Sequence, residues 1–249
     1  MKNLLKKIAV IALLSAVMIS CSKKSEMPAD PETETTQNQK VIAYIKSLGF
    51  TDAQIVESGD NYVADGDIVF SKKMEIPADN GKSITEQYYN GYIVTNSTNI
   101  RVKIDPSITS MTSEINSAIN QWNTVPNSKL KFVITTGTIY DILIKVDNTI
   151  GGSTCGQAYL STSNGKAGNT VWINQNLIKN NSLAQRTRTI THEFGHTISF
   201  KHTNQSTTTN VPGVGGTDAQ SLMNGGQCGS GATVLSAKDK QATAVLYPL

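Results

Sequence analysis

Three histidines, the only ones in this 249-residue chain, lie within eleven residues, at His192, His196 and His202. A helix advances about 100° per residue, so His192 and His196 project from one face, close enough to bind one metal ion. His202 can join them only if the helix breaks first, and we expect the break at Ser199. Three neutral imidazoles leave a fourth tetrahedral position open, which is typical of a catalytic zinc site rather than a closed structural one.

The rest of the sequence supplies few alternatives to His202 as the third ligand. No glutamate follows Glu193, and the only acidic residues downstream are Asp218 and Asp239. Asp218 lies in a glycine-rich loop, and Asp239 is the fourth residue of a capping box that begins at Ser236. We therefore predict that the three histidines bind zinc and that Glu193, beside their helix face, is the general base.

These residues resemble the motif of the metzincin zinc peptidases, His-Glu-x-x-His-x-x-Gly-x-x-His followed by a methionine turn. Residues 192–203 are most similar to the HEIGH-type metallopeptidases, and the turn matches Ser221-Leu-Met-Asn224, with Met223 expected beneath the metal. Ser199 stands where the family has glycine, and no tyrosine follows Met223. A serine in a left-handed conformation costs about 1 kcal/mol relative to glycine.

The resemblance covers residues 85–249 and implies an α+β fold, with a twisted mixed sheet of about five strands, an active-site helix, the methionine turn and a C-terminal helix. The residues agree with it. Alternating or β-branched runs predict strands at residues 100–104, 130–134, 140–146 and 170–173. Helical spacing predicts a helix from Pro106 to before Pro126, the active-site helix from about residue 181, and a last helix over residues 236–246.

A fifth strand is expected at residues 156–160, where metzincins present a free sheet edge to an extended peptide. Under this reading Gly156, Ala158 and Tyr159 bind substrate. The same residues are equally well explained as an ordinary core or rim strand.

The N-terminus has the features of an export signal. Residues 1–20 combine three lysines with an apolar stretch, as in a secretory signal peptide. The sequence Val17-Met-Ile-Ser-Cys21 resembles a bacterial lipobox, which implies lipidation of Cys21, a membrane anchor, and an exported lipoprotein at the outer membrane or cell surface. An ordinary signal peptide is the alternative. Residues 21–40 are polar and without aromatic residues, and we interpret them as a flexible tether.

Charge and cysteine content agree with an exported protein. Loss of residues 1–20 removes three of 22 basic residues and no acidic ones, which leaves 19 of each. Such a balance argues against a nucleic-acid partner. If Cys21 is lipidated, Cys155 and Cys228 form an even pair, for which we predict a disulfide across the cleft. The alternative is a thiolate that ligates zinc.

Residues 41–84 form a small N-terminal region, in which we predict a helix stopped by Gly49 and a hairpin that turns at Asp65-Gly66. It contains no cysteine that could block the metal, but Asp60, Asp65 and Asp67 could each supply a carboxylate. Each is also explained as a turn residue. The region could inhibit the enzyme, assist folding or cover a sheet edge.

The predicted function is that of a zinc-dependent endopeptidase. Zinc-activated water would hydrolyse a protein or peptide substrate, with Glu193 as general base. The alternative is an exported zinc-containing lipoprotein that binds a peptide or glycan without cleaving it. We expect a monomer.

Overall fold

The computed structural model describes residues 31–77, 88–205, 210–214 and 217–249. The predicted signal peptide and Cys21 lie outside these ranges. The helices are α1 Pro31–Ser47, α2 Thr112–Asn123, α3 Gln175–Ile178, α4 Leu183–Thr197 and α5 Ala237–Leu246, with 3-10 turns at Asp52–Gln54 and Pro106–Met111. The strands are β1 Ile55–Ser58, β2 Asn61–Ala64, β3 Ile68–Ser71, β4 Ile100–Ile104, β5 Phe132–Ile134, β6 Ile142–Val146, β7 Gly156–Tyr159 and β8 Thr170–Ile173. Among the described helices, none has the length and apolar character needed to cross a bilayer.

All eight strands form one mixed sheet in the order β1-β2-β3-β7-β8-β6-β4-β5. The five strands predicted for the catalytic region are confirmed, and β1, β2 and β3 extend the same sheet from the N-terminal region. Strand β3 runs parallel to β7, with Ile68 opposite Ala158 and Val69 opposite Tyr159. Strand β7 is antiparallel to β8 on its other side. The N-terminal region is thus bonded into the sheet directly beside the residues predicted to bind substrate.

The main core lies between the sheet and helices α2 and α4, which pack against each other. The indole of Trp122 stacks on Phe200 with ring centroids 5.6 Å apart, and its Nε1 donates to the carbonyl of Thr191 at 2.9 Å. Phe132 and Phe194 stack at 5.2 Å. These contacts bind α4 to its surroundings along its length, so the helix that carries the predicted ligands is a rigid support.

A second, smaller core joins the N-terminal region to the catalytic region. Apolar residues of α1 and of the strands β2 and β3 pack there with Leu160 of the catalytic region. Helix α1 is longer than predicted and begins at Pro31, so the tether expected over residues 21–40 is wrong for its last ten residues. The composition of these residues disfavours a buried core but does not prevent a helix supported by apolar residues further along, such as Val41 and Ile45.

Helix α4 begins and ends where the sequence predicts. The Ser182 side chain caps its N-terminus by accepting from the amide of Gln185, and the helix ends at Thr197. Ser199 then adopts φ 97°, and the Phe200 amide turns back to the carbonyl of Gly195 at 3.0 Å. The positive φ confirms the predicted position of the break. The Ser199 hydroxyl is fully buried and bonds to Ser161 Oγ and the carbonyl of Tyr92.

Substitutions at Ser199 should separate its backbone from its hydroxyl. Ser199→Gly and Ser199→Ala both lose the hydroxyl bonds, but only alanine keeps a Cβ at positive φ. We expect alanine to be less stable than glycine by about 1 kcal/mol, and the β-branched Ser199→Val to be less stable still. Chemical denaturation and zinc content measure this series. Equal stability of the valine and glycine variants would contradict a required left-handed residue at position 199.

Candidate metal centre

The break at Ser199 turns the chain so that the three imidazoles converge. The Nε2 atom of His192 lies 3.1 Å from that of His196 and 3.1 Å from that of His202. All three side chains are buried. Each Nδ1 atom faces an oxygen acceptor: Leu222 O at 2.9 Å from His192, Phe200 O at 2.7 Å from His196, and Asp65 Oδ2 at 2.5 Å from His202. These acceptors fix the rings with Nδ1 protonated and Nε2 facing the centre.

This arrangement fits zinc. In a tetrahedral site with bonds of 2.0–2.1 Å, ligand atoms are separated by about 3.3 to 3.4 Å, close to the spacing observed here. Burial, followed by the neighbouring imidazoles, lowers the pKa of His196 to about 3, and burial also lowers the pKa of His192. Both rings therefore stay neutral, and their Nε2 lone pairs face one another without a donor between them. A cation at the centre satisfies them.

Asp67 is the fourth group at this centre. Both of its carboxylate oxygens lie 3.1 Å from His202 Nε2, while Oδ2 is 3.5 Å from His192 Nε2 and Oδ1 is 3.7 Å from His196 Nε2. One ligand atom from each of these four residues lies within 4.8 Å of the rest. Burial would raise the pKa of Asp67, but the imidazoles of His202 and His192 reverse this and hold it below its ordinary range. Oδ1 of Asp67 is buried without a hydrogen-bond partner among the described residues, as expected for a metal ligand.

The β2–β3 hairpin delivers Asp67 to the site. Its turn falls at Asp65-Gly66, as predicted, with φ 55° at Asp65 and 93° at Gly66. Both values are left-handed, which aspartate and glycine tolerate better than most residues. The carbonyl of Asp67 accepts from the amide of Ala158 at 2.9 Å, which fastens the turn to β7. Of the three candidate carboxylates, Asp65 and Asp67 lie at the centre, whereas Asp60 lies in the turn between β1 and β2 and is exposed.

Glu193 is buried beside the three imidazoles. Its Oε2 atom has no hydrogen-bond partner within the described part of the chain. Burial, followed by the Asp67 carboxylate, raises its pKa well above the ordinary value. Gly156 packs directly against it: a Cβ at Gly156 would lie 2.7 Å from Glu193 Oε1. The absence of a side chain at position 156 therefore leaves room for the Glu193 carboxylate.

The methionine turn supports the site from below. Met223 is fully buried against α4, where a Cβ at Gly195 would lie 2.4 Å from the methionine sulfur. The preceding residue, Leu222, supplies the carbonyl that orients His192. Asp239 caps α5 as predicted, but its carboxylate also accepts from Ser221 Oγ at 2.5 Å and the Leu222 amide at 2.8 Å. Sequence reasoning missed this second role, because a local capping box already explained the residue.

The free sheet edge expected at residues 156–160 is wrong for the intact chain. Strand β7, with Gly156, Ala158 and Tyr159, has no free edge, because β3 pairs with one side and β8 with the other. The N-terminal region is the physical reason, since its strand occupies the place expected for a peptide. Cys155, directly before β7, is joined to Cys228 by a disulfide, and neither sulfur belongs to the metal cluster.

Arg188 is a site residue that no sequence motif indicated. It precedes His192 by one helical turn and is 4% exposed. It lines a cavity with Glu193, His192 and Asp67. A buried arginine four residues before a ligand could have been noticed only from helical spacing, and that spacing does not distinguish a cavity from solvent.

Comparisons with known proteins agree with this chemistry. The model of the dual-action HEIGH metallo-peptidase family matches residues 62–245, well over half of the chain. No match is found among the curated proteins. Among solved structures, myroilysin is 18% identical with a TM-score of 0.44, over 69% of this chain and 93% of that one. High choriolytic enzyme 1, a hatching enzyme zinc-protease from the medaka fish Oryzias latipes, is 16% identical with a TM-score of 0.41, over 69% and 97%. These likenesses are too low to support an inference.

The family match spans the β2–β3 hairpin, all three histidines and the methionine turn. The donor set of three imidazoles beside a buried glutamate fits the metal that this family uses. The chain therefore belongs to the dual-action HEIGH metallo-peptidase family and is a zinc metallopeptidase.

Proposed function

We propose that the chain is an endopeptidase held latent by its own N-terminal region, with zinc bound by His192, His196 and His202 and with Glu193 as general base. The observation that carries the latency is the position of Asp67. Its carboxylate occupies the side of the three imidazoles where a substrate and its attacking water must approach. In this proposal the N-terminal region both inhibits the enzyme and covers a sheet edge.

The chemistry depends on a few side chains. Zinc, when bound, supplies a Lewis acid that polarises the scissile carbonyl and makes water more acidic. Glu193 removes a proton from the attacking water as the new carbon–oxygen bond forms. The same carboxylate then delivers that proton to the amine nitrogen as the carbon–nitrogen bond breaks. Its unpartnered Oε2 atom is the one free to hold the proton.

Activation requires the β2–β3 hairpin to leave. Its departure removes Asp67 from the centre and frees the edge of β7 that β3 now covers. A peptide could then pair with this edge through backbone hydrogen bonds, where Gly156, Ala158 and Tyr159 were predicted to act. The hairpin packs on α1 within the N-terminal region and contacts the catalytic region at β7, Leu160 and the metal centre, so cleavage of the chain between β3 and Tyr88 would separate the N-terminal region from the catalytic region.

Replacing the base should separate catalysis from metal binding. Glu193→Ala in the activated enzyme is expected to keep one zinc per chain and to lose at least about a hundredfold in casein cleavage, the usual scale of a missing general base. Zinc analysis and proteolysis measure the two properties. His202→Ala is the matched control, because it should lose metal and activity together. Cleavage undiminished in the alanine variant would remove Glu193 from the mechanism.

Removing the charge of Asp67 from the metal centre should activate the intact chain. Asp67→Asn keeps the shape of the turn but removes the charge that binds the cation. Hydrogen bonds to charged groups contribute about 1.5 to 3 kcal/mol. We therefore expect the full-length variant to cleave peptide at least about tenfold faster than the unmodified full-length chain. Zinc should also pass faster to a chelator, a readout that does not depend on activity.

Asp60→Asn is the matched control for this test, since Asp60 lies in the neighbouring turn and faces solvent. This variant should stay as latent as the unmodified chain and should hold zinc equally well. If Asp67→Asn were no more active than Asp60→Asn and released zinc no faster, Asp67 would not be the lock.

We further propose that the protein is exported and anchored through lipidated Cys21. The disulfide between Cys155 and Cys228 supports export, because such bonds persist in oxidising compartments. Closing a loop of this length stabilises the fold by about 4 kcal/mol in the chain-entropy model. Cells fed radiolabelled palmitate should label the unmodified protein but not Cys21→Ser, and only the unmodified protein should sediment with membranes. Equal labelling of both proteins would reject the anchor.

A further inference from the structure

A cavity of about 190 Å³ opens beside the three imidazoles, between α4 and the segment that follows the methionine turn. Its wall on the α4 side includes Arg188, His192 and Glu193, and the disulfide between Cys155 and Cys228 forms part of the opposite wall. Since Glu193 lines this cavity, whatever occupies it lies next to the bond that is cleaved. The cavity is the size of one side chain, not of a folded partner.

Arg188 is the unusual member of this wall, because it is a charged group with few partners. Its Nη2 atom donates to the carbonyl of Asn224 at 2.9 Å and to Gln227 Oε1 at 3.1 Å. These two bonds hold one edge of the guanidinium against the wall. Its Nε atom is buried and has no hydrogen-bond partner within the described residues.

Neither acceptor of Arg188 carries a charge, so the guanidinium lacks a hydrogen-bonded counter-ion. A buried cation of this kind is costly unless it is paired. The acidic residues that line the cavity are Glu193, Asp65 and Asp67. Two of these belong to the hairpin that leaves on activation, and the third is the general base. Once the hairpin has left, Arg188 and Glu193 are the charged side chains that remain among the lining residues.

We propose that Arg188 binds a substrate carboxylate and thereby selects an acidic residue next to the scissile bond. The inference rests on the proposed endopeptidase function and adds a substrate class to it. The guanidinium, fixed through Nη2, keeps a buried Nε–H donor without a partner, which suits a charge-assisted hydrogen bond to one oxygen of a carboxylate. Aspartate or glutamate fills the cavity and supplies the missing counter-ion. An uncharged side chain of the same size leaves the guanidinium unpaired.

The first test varies the substrate alone. The full chain is loaded with zinc and activated by limited proteolysis with trypsin, and casein digestion then locates the scissile bonds. Asp and Glu should be enriched at one flanking position. Blocked peptides built on such a site should give a kcat/KM at least about tenfold higher with Glu than with Gln at that position, and lowest with Lys. Equal kcat/KM for Glu and Gln would overturn the inference while leaving the endopeptidase intact.

The carboxylate could instead come from the C-terminus of the substrate. Peptides that carry Gln at the chosen position and end there in a free carboxylate, beside the same peptides ending in an amide, distinguish the two sources. Preference for internal Glu in amidated peptides supports the inference. Preference for the free terminus alone would overturn both the acidic side chain and the endopeptidase reading.

Variants assign the preference to Arg188. Arg188→Gln should reduce the ratio of kcat/KM for the Glu peptide to that for the Gln peptide to about one. Arg188→Lys should retain part of the preference for Glu, because a lysine keeps the charge without the planar guanidinium. Arg186→Gln is the control, since Arg186 lies on the same helix but pairs with Glu114. Its ratio should be unchanged even if the variant is less stable, because the ratio compares two substrates on one protein.

Peptide binding tests the preference of Arg188 for a carboxylate without catalysis. The activated Glu193→Gln protein should bind the Glu peptide at least about tenfold more tightly than the Gln peptide in calorimetry, and the double variant with Arg188→Gln should bind them equally. If zinc-loaded enzyme cleaved no peptide but this difference were found, the proposed function would fail and the carboxylate site would stand. Equal binding by the single variant would overturn the site.

Discussion

The structure depends on holding the Nε2 atoms of His196 and His202 each 3.1 Å from that of His192 inside the protein. These nitrogens are buried and have lost their water, so the protein must fix each ring from outside. Two rings are fixed by backbone carbonyls, one from the methionine turn and one from the residue after the helix break. The third is fixed by Asp65, which belongs to the N-terminal region. Helix α4, its break and the turn are arranged to meet this one requirement.

The N-terminal region acts on the site as a unit. The β2–β3 hairpin places Asp67 among the imidazoles and Asp65 against His202, and its second strand pairs with β7. Because the turn is bonded to β7 through the carbonyl of Asp67, the carboxylate cannot withdraw far while β3 stays paired. In the proposed activation, the Asp67 carboxylate and the edge of β7 are therefore released together. The apolar residues of the N-terminal region form a small core that also includes Leu160 of the catalytic region.

Sequence reasoning succeeded where the determinants are local. Histidine spacing, the Ser182 cap and the mismatch between helical rotation and His202 place the ligands, the start of α4 and the break at Ser199. It failed where pairing between distant segments of the chain determines which residues lie at the site. Nothing local distinguishes Asp67 from Asp60, because both are acidic turn residues. The pairing of β3 with β7 joins residues about ninety positions apart and carries no motif. Arg188 likewise can be recognised as a site residue only from the cavity that other segments form around it.

The proposed lock and the proposed substrate use one kind of chemistry. In the intact chain, burial lowers the pKa of Arg188, and the carboxylates of Glu193 and Asp67 oppose this. When the hairpin leaves, the guanidinium loses one of these two neighbouring charges. A substrate carboxylate restores it, so activation followed by binding exchanges one carboxylate for another in the same cavity. The hairpin is then an internal imitation of an acidic substrate. It follows that neutral substrates gain less from the removal of the hairpin than acidic ones. A neutral side chain does not replace the carboxylate that Arg188 loses when the hairpin leaves.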